Sequence, residues 1–183
     1  DYGDDIRTAV ETLRKGGAEK QAMIAAKLLS RQGMPVTIII WDGTEMDEAN
    51  LKYLENQHII SVGLRGSLFR KLTDFRNYII QHHITLILSY LTLANFLGAI
   101  SSLLDHNLKT VGGIRSEKLP VLKFLVERYV HNNINTCTVF NSHAARNGFI
   151  RRGFDPGKAF VIHNAAMIQP YSELPHDTNE ISL

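Results

Sequence analysis

Short apolar runs alternate along the chain with stretches of helical spacing, the pattern of a parallel sheet covered on both faces. The first strand is read at Ile6–Leu13. A helix follows from Ala18 to Gln32, with Ala18, Ala22, Ala25 and Leu29 on one face, and Gly33 closes it. Val36–Trp41 is almost continuously β-branched and reads as a strand buried on both faces. A short helix at Glu48–Gln57 leads to a strand at Ile59–Leu64. The next helix, Ser67–Gln81, aligns Leu68, Leu72, Phe75 and Ile79. Beyond a strand at Lys109–Ile114, Pro120 suits the first turn of a helix reaching His131. A strand at Thr136–Asn141 passes to a helix that Ser142 can cap and that ends at Gly153. Asp155-Pro156-Gly157 is a turn, and Ala159–His163 is the last strand. The final segment has two prolines and little apolar periodicity, the pattern of a linker cut short.

One segment competes with this reading. Ile84–Leu104 contains no charge and is long enough to span a bilayer. It also carries Thr85, Ser89, Thr92, Asn95, Ser101 and Ser102, and Asn95 would sit near the bilayer centre without a partner helix. The pattern therefore predicts a buried strand, Ile84–Tyr90, running straight into a helix, Leu91–Leu104.

Composition narrows the class. A chain of 183 residues with 44% apolar and 21% charged residues is that of one soluble domain, not a disordered or fibrous chain. A net charge of +2 is too small to imply a nucleic-acid partner. The single cysteine, Cys137, forbids an internal disulfide and reads as a small core residue. A reducing, cytoplasmic setting follows as the simplest expectation. The chain starts at Asp1 and shows no secretory leader, so an excised domain or a processed chain is expected.

Ligands of open parallel sheets bind beyond the carboxyl ends of the strands. That edge should present Arg14–Glu19, Asp42-Gly43, Arg65-Gly66, Ser89-Tyr90, Arg115–Glu117, Asn141-Ser142 and His163-Asn164. Gly16 and Gly17, between the first strand and the first helix, allow backbone N–H groups to approach a diphosphate. The same pair equally suits a tight turn needing positive φ. Glu19 favours the helix dipole but repels a phosphate. Neither a dinucleotide-binding nor a Walker motif is present. Arg115 closes its strand among small neighbours, where its fork could hold a phosphate or carboxylate, or could pair with Glu117. The Ser67–Gln81 helix joins its apolar stripe to Arg70, Lys71 and Arg76, a combination that suits an anionic membrane surface as well as a sheet. No histidine pair has metalloprotease spacing, and no Gly-x-Ser-x-Gly elbow occurs, so neither a metal centre nor a common serine hydrolase is expected.

Several of these segments, in this order, resemble a known family. Leu13-Arg14-Lys15-Gly16-Gly17-Ala18-Glu19-Lys20, followed by Gly33-x-x-Val36, is similar to the opening of family 4 retaining glycosyltransferases. Ile114-Arg115-Ser116-Glu117, Thr138–Ser142 through Gly153, and Lys158-x-x-Val161-Ile162-His163-Asn164 are similar to later parts of their first domain. The resemblance implies the N-terminal half of a GT-B fold, a Rossmann-like three-layer α/β sandwich with a mostly parallel sheet. Residues 1–168 would form the acceptor-binding domain, and 169–183 a linker towards an absent donor-binding domain. The implied reaction moves a sugar from a nucleotide-diphosphate donor, held mainly by that second domain, to a glycan or lipid-linked acceptor. It implies Gly16 and Gly17 at the diphosphate and Arg115 facing the reacting sugar, where many members have histidine. It also implies Ser89 and Glu117 as acceptor contacts and no cofactor or metal, while the basic amphipathic pattern of the Ser67–Gln81 helix by itself adds the expectation of peripheral contact with the inner membrane face. The isolated domain would be inactive. The Glu-x7-Glu spacing of Glu11 and Glu19 is coincidental, because Glu11 falls in the first strand. The rival readings are a complete, non-catalytic Rossmann-like module and a GT-B nucleotide-sugar epimerase, for which the strand ends offer few acids and histidines.

Overall fold

All four side chains of Thr37–Ile40 are buried, as an uninterrupted β-branched strand between two helical layers requires. In the computed structural model, residues 16–44, 46–105 and 107–165 are described in full and residues 6–10 as backbone. Strands β1 (Ile6–Val10), β2 (Thr37–Ile40), β3 (Ile60–Gly63), β4 (Leu86–Tyr90), β5 (Lys109–Ile114), β6 (Cys137–Phe140) and β7 (Ala159–Val161) alternate with helices. These are α1 (Gly17–Arg31), α2 (Glu48–Asn56), α3 (Leu68–Gln81), α4 (Thr92–Leu104), α5 (Val121–Asn133) and α6 (His143–Ile150). The sheet is parallel in every pairing, in the order β3-β2-β1-β4-β5-β6-β7. This is the Rossmann-like α/β architecture expected from the sequence. The direction of winding reverses between β1 and β4, and the crevice at such a switch point is where α/β sheets bind ligands.

The run Ile84–Leu104 divides as expected. β4 ends at Tyr90 and α4 starts at Thr92, the turn between them made by Leu91 at φ 77°. No helix among the described residues is long and apolar enough to cross a membrane. Element ends differ from expectation by a few residues. α6 stops at Ile150, and the turn after it reaches Gly153 at φ +98°. Pro120 occupies the N-cap of α5 rather than its first turn. The expected strand residues Glu11–Leu13 and the segment after Ala165 lie outside the described residues.

Strand alternation divides the core. Ile38, Ile40 and Tyr90 pack against Ala22, Met23 and Ala26 of α1 and Leu54 of α2. Ile39 and Ile87 face the opposite way, against Phe75 and Ile79 of α3 and Leu97 of α4. A third cluster joins Ile114 and Phe140 to Phe149 and Phe154, with Phe124 of α5 beside it. On the α1 side, no helix among the described residues covers the sheet towards β7, and Phe160 and Ile162 are exposed there. Cys137 shares that side with Val139, which corrects its expected place in the core: it is only half-buried.

Candidate functional site

Gly16 and Gly17 stand where β1 gives way to α1. Gly16 has φ −129° and ψ 164°, ordinary extended backbone, and Gly17 has no positive φ either. A turn that only glycine could make is therefore not their role. A Cβ on Gly16 would run into the carboxylate of Glu19, which folds back over it. A Cβ on Gly17 would meet nothing within 4 Å. Space thus remains open above Gly17, beside the first N–H groups of α1, which have no partner inside the helix.

Arg115 follows β5 on the same edge. Its Nη1 donates to Asn164 Oδ1 at 2.8 Å, and its guanidinium lies 4.9 Å from the Tyr90 ring centre. Its carbonyl accepts from Asn141 Nδ2 at 3.2 Å. No carboxylate among the described residues pairs with it, and its Nε finds no acceptor there. Asn164 takes one of the five N–H donors that a guanidinium offers, so the fork keeps capacity for an anion. Burial pushes the Tyr90 hydroxyl up, and the nearby Arg115 charge opposes that rise.

Gly17, Glu19, Leu91, Arg115, Asn141 and Asn164 enclose a pocket of about 330 Å3 at the carboxyl edge. Leu91 holds its positive φ at the rim, a conformation costing on the order of 1–3 kcal/mol for a non-glycine residue. Arg115 also borders a second, apolar groove of about 310 Å3 between α1 and the sheet, walled by Ile24, Leu28, Val111, Val139 and Ile162. The polar pocket is the better candidate for anion chemistry, because it holds the cation, the amides and the helix start.

The other two expected site residues stand apart. Ser89 is buried on the α4 side, where its hydroxyl donates to Asn95 Oδ1 at 2.7 Å. Glu117 is exposed on the loop after Arg115 and does not line the pocket. Behind β5 lies an arrangement that sequence reasoning missed. Asn95 of α4 accepts from Gly113 N at 3.1 Å and donates to Gly113 O at 3.2 Å, two residues before Arg115. Its amide also donates to both Glu127 oxygens, at 2.9 and 3.1 Å. Burial raises the Glu127 carboxyl to about 7, against the opposing hydrogen bonds from Asn95 and Thr92. An Asn within an uncharged run and a Glu within a helix gave no sign of this pairing. No group of three His, Cys, Asp or Glu among the described residues could hold a metal ion.

Comparison with known proteins fits this geometry. The model of the family described as Glycosyltransferase Family 4 matches residues 15–167. No curated protein matches the chain. Among solved structures, Anabaena Alr3699/HepE in complex with UDP-glucose superposes with a TM-score of 0.74 at 20% identity, over 88% of this chain and 44% of that one. The lipopolysaccharide outer core galactosyltransferase WaaB gives 0.66 at 14% identity, over 93% and 50%. UDP-GlcNAc 2-epimerase from Methanocaldococcus jannaschii gives 0.58 at 13%, over 87% and 45%. At these identities the structures share the fold, and the chain spans half their length or less.

Proposed function

The chain belongs to Glycosyltransferase Family 4, and from that premise we propose that it is the acceptor side of a retaining sugar transferase. Its fold is the N-terminal half of a GT-B enzyme. In the whole protein, residues 1–168 form the acceptor-binding domain, and 169–183 lead to a second domain that holds the nucleotide sugar. The acceptor is a glycan or a lipid-linked glycan. An acceptor carried on lipid requires the protein at a membrane, through the cationic helix beginning at Ser67, and a cytoplasmic setting suits that reading. A hexose donor such as UDP-glucose agrees with the ligand of the HepE structure.

The observation that carries this reading is the single pocket shared by Gly17, Arg115, Asn141 and Asn164. In the proposed step the bond from the anomeric carbon to the donor diphosphate breaks, and a bond to the acceptor oxygen forms on the same face. The acceptor proton passes to the departing diphosphate. Negative charge grows on that leaving group, so donors fixed in advance are the main catalytic device. Arg115 supplies a guanidinium with free N–H groups, and the open side of Gly17 admits the diphosphate to the start of α1. Glu19 lies over Gly16 and keeps the anion on the Gly17 side.

The test is to supply the whole protein with nucleotide sugars and an acceptor, then read the anomeric configuration of the product by NMR. Retention is expected. Inversion would overturn the proposed step. Release of no nucleoside diphosphate from any donor would favour the non-catalytic module, and conversion of the donor sugar into its epimer would favour the epimerase.

A further inference from the structure

Gln21 stands one turn beyond Gly17 on the same face of α1. Its side-chain amide reaches the backbone of Ala165, 144 residues away in the chain. Nε2 donates to the Ala165 carbonyl and Oε1 accepts from the Ala165 N–H, both at 2.8 Å. One side chain thus gives one residue both a donor and an acceptor, as a neighbouring strand would. A carboxylate in its place would offer no donor, and an apolar side chain would offer neither.

The span between this bracket and the sheet holds the partner of Arg115. β7 ends at Val161, and one further bond joins the chain to β6, from Ile162 N to Phe140 O at 2.9 Å. His163 and Asn164 follow, both exposed, with the His163 ring 5.6 Å from that of His143. The course of this short span is therefore set at its two ends, by the sheet at Ile162 and by Gln21 at Ala165. Within it, Asn164 Oδ1 accepts from Arg115 Nη1 at 2.8 Å. The other contacts of Arg115 leave its direction open. The Tyr90 ring fixes the height of the guanidinium rather than the way its fork points, and Asn141 holds only the backbone carbonyl. Asn164 aims the fork, and Gln21 holds Asn164 in place.

We propose that Gln21 is a positioning residue for Arg115. It touches no substrate and acts through Ala165 and Asn164. It ties the helix that opens at Gly17 to the segment that aims the cation, so the two sides of the pocket keep their spacing. Gln21, Arg115 and Ala165 all border the apolar groove beside that pocket, which places the bracket at the boundary between the two. The coupling to Arg115 stands on these bonds alone, while its effect on rate rests on the sugar-transfer reading.

Gln21→Met removes both bonds and keeps the length of the side chain, and two readouts test its effect. In nitrogen NMR of the chain, the Arg115 Nη groups should be restricted in the parent and averaged in Gln21→Met, with the circular dichroism of the two proteins alike. In the whole protein, Gln21→Met should lower kcat about tenfold, with the donor KM within about twofold of the parent. Added to Arg115→Ala, it should cost nothing further, because its effect runs through that residue. A purely structural role would instead add its own loss to that of Arg115→Ala. Such additive losses, a parental kcat in Gln21→Met, or Arg115 signals that it leaves unchanged would each overturn the proposal. Averaged Arg115 signals in a protein whose parent transfers no sugar would uphold the coupling and overturn the sugar-transfer reading.

Discussion

The side-chain amide of Asn95 brackets Gly113, accepting from its N–H at 3.1 Å and donating to its carbonyl at 3.2 Å. A side chain from the first turn of α4 thereby pairs with the end of β5 as a neighbouring strand would. Arg115 leaves the sheet two residues later, so this bracket sets the direction from which its guanidinium reaches the pocket. Replacing Asn95 by Leu would strand the Gly113 polar groups and the Glu127 carboxylate in the interior. The expected loss is about 3 kcal/mol of unfolding free energy, read from urea denaturation. A loss below about 0.5 kcal/mol would mean that surface substitutions and this one are alike, and the bracket would carry no weight.

Glu127 makes stability depend on pH. Its folded pKa of about 7 lies above the ordinary value of 4.5, so the unfolded chain gives up the proton first. Stability from this group is greatest below pH 4.5, falls as pH rises towards 7, and is flat above it. The raised pKa corresponds to a difference of about 3 kcal/mol between the two limits. Glu127→Gln should remove that dependence, so the variant gains on the parent between pH 5 and 8 in urea midpoint. A constant difference between the two proteins across that range would contradict the assignment.

Two glycines at the same edge should answer alanine in opposite ways. A Cβ on Gly113 would lie 2.8 Å from the Ser89 carbonyl oxygen, a backbone atom in the paired strand that cannot turn aside. Gly113→Ala is expected to cost about 2 kcal/mol, the penalty of overpacking in a fixed frame. Gly17 has open space and no positive φ, so Gly17→Ala should leave stability unchanged or raise it by about 0.5 kcal/mol. Thermal denaturation of the two variants compares them directly, and equal losses would contradict the open cradle.

Leu91 offers a further check on the pocket rim. Glycine tolerates φ 77° without the Cβ clash that leucine suffers there. Leu91→Gly should therefore cost less than about 1 kcal/mol, despite losing a partly buried side chain. A loss of about 3 kcal/mol, as for truncating a fully buried leucine, would show that the residue is held by packing rather than bearing strain.

Much of this architecture was legible because it is local. The β-branched run Thr37–Ile40 could only be a doubly covered strand, and Ser142 caps its helix as expected, accepting from Ala145 N, while Ser67, expected inside its helix, caps it instead. Gly33 and Gly153 take the positive φ that a helix end favours. The site was legible in part. Gly17 and Arg115 do meet at one pocket, because Gly17 opens the helix after β1 and Arg115 follows β5, both at the carboxyl edge of a parallel sheet. Strand alternation turns Tyr90 to α1 and the apolar groove and the Ser89 hydroxyl to Asn95 of α4, which the apolar pattern of β4 did not reveal. The Asn95–Glu127 pair joins residues 32 apart and depends on how α4 packs on α5, which no local pattern encodes.

The central claim is that Arg115 and the open side of Gly17 form one half of a sugar-transfer site. The most direct test is nucleoside diphosphate release by the whole protein carrying Arg115→Ala, measured beside the parent with donor and acceptor saturating. Removing a preorganised charge from the leaving group should lower kcat by about 10²–10³-fold while the melting temperature stays near the parent value. An unchanged kcat in a folded variant would contradict the account.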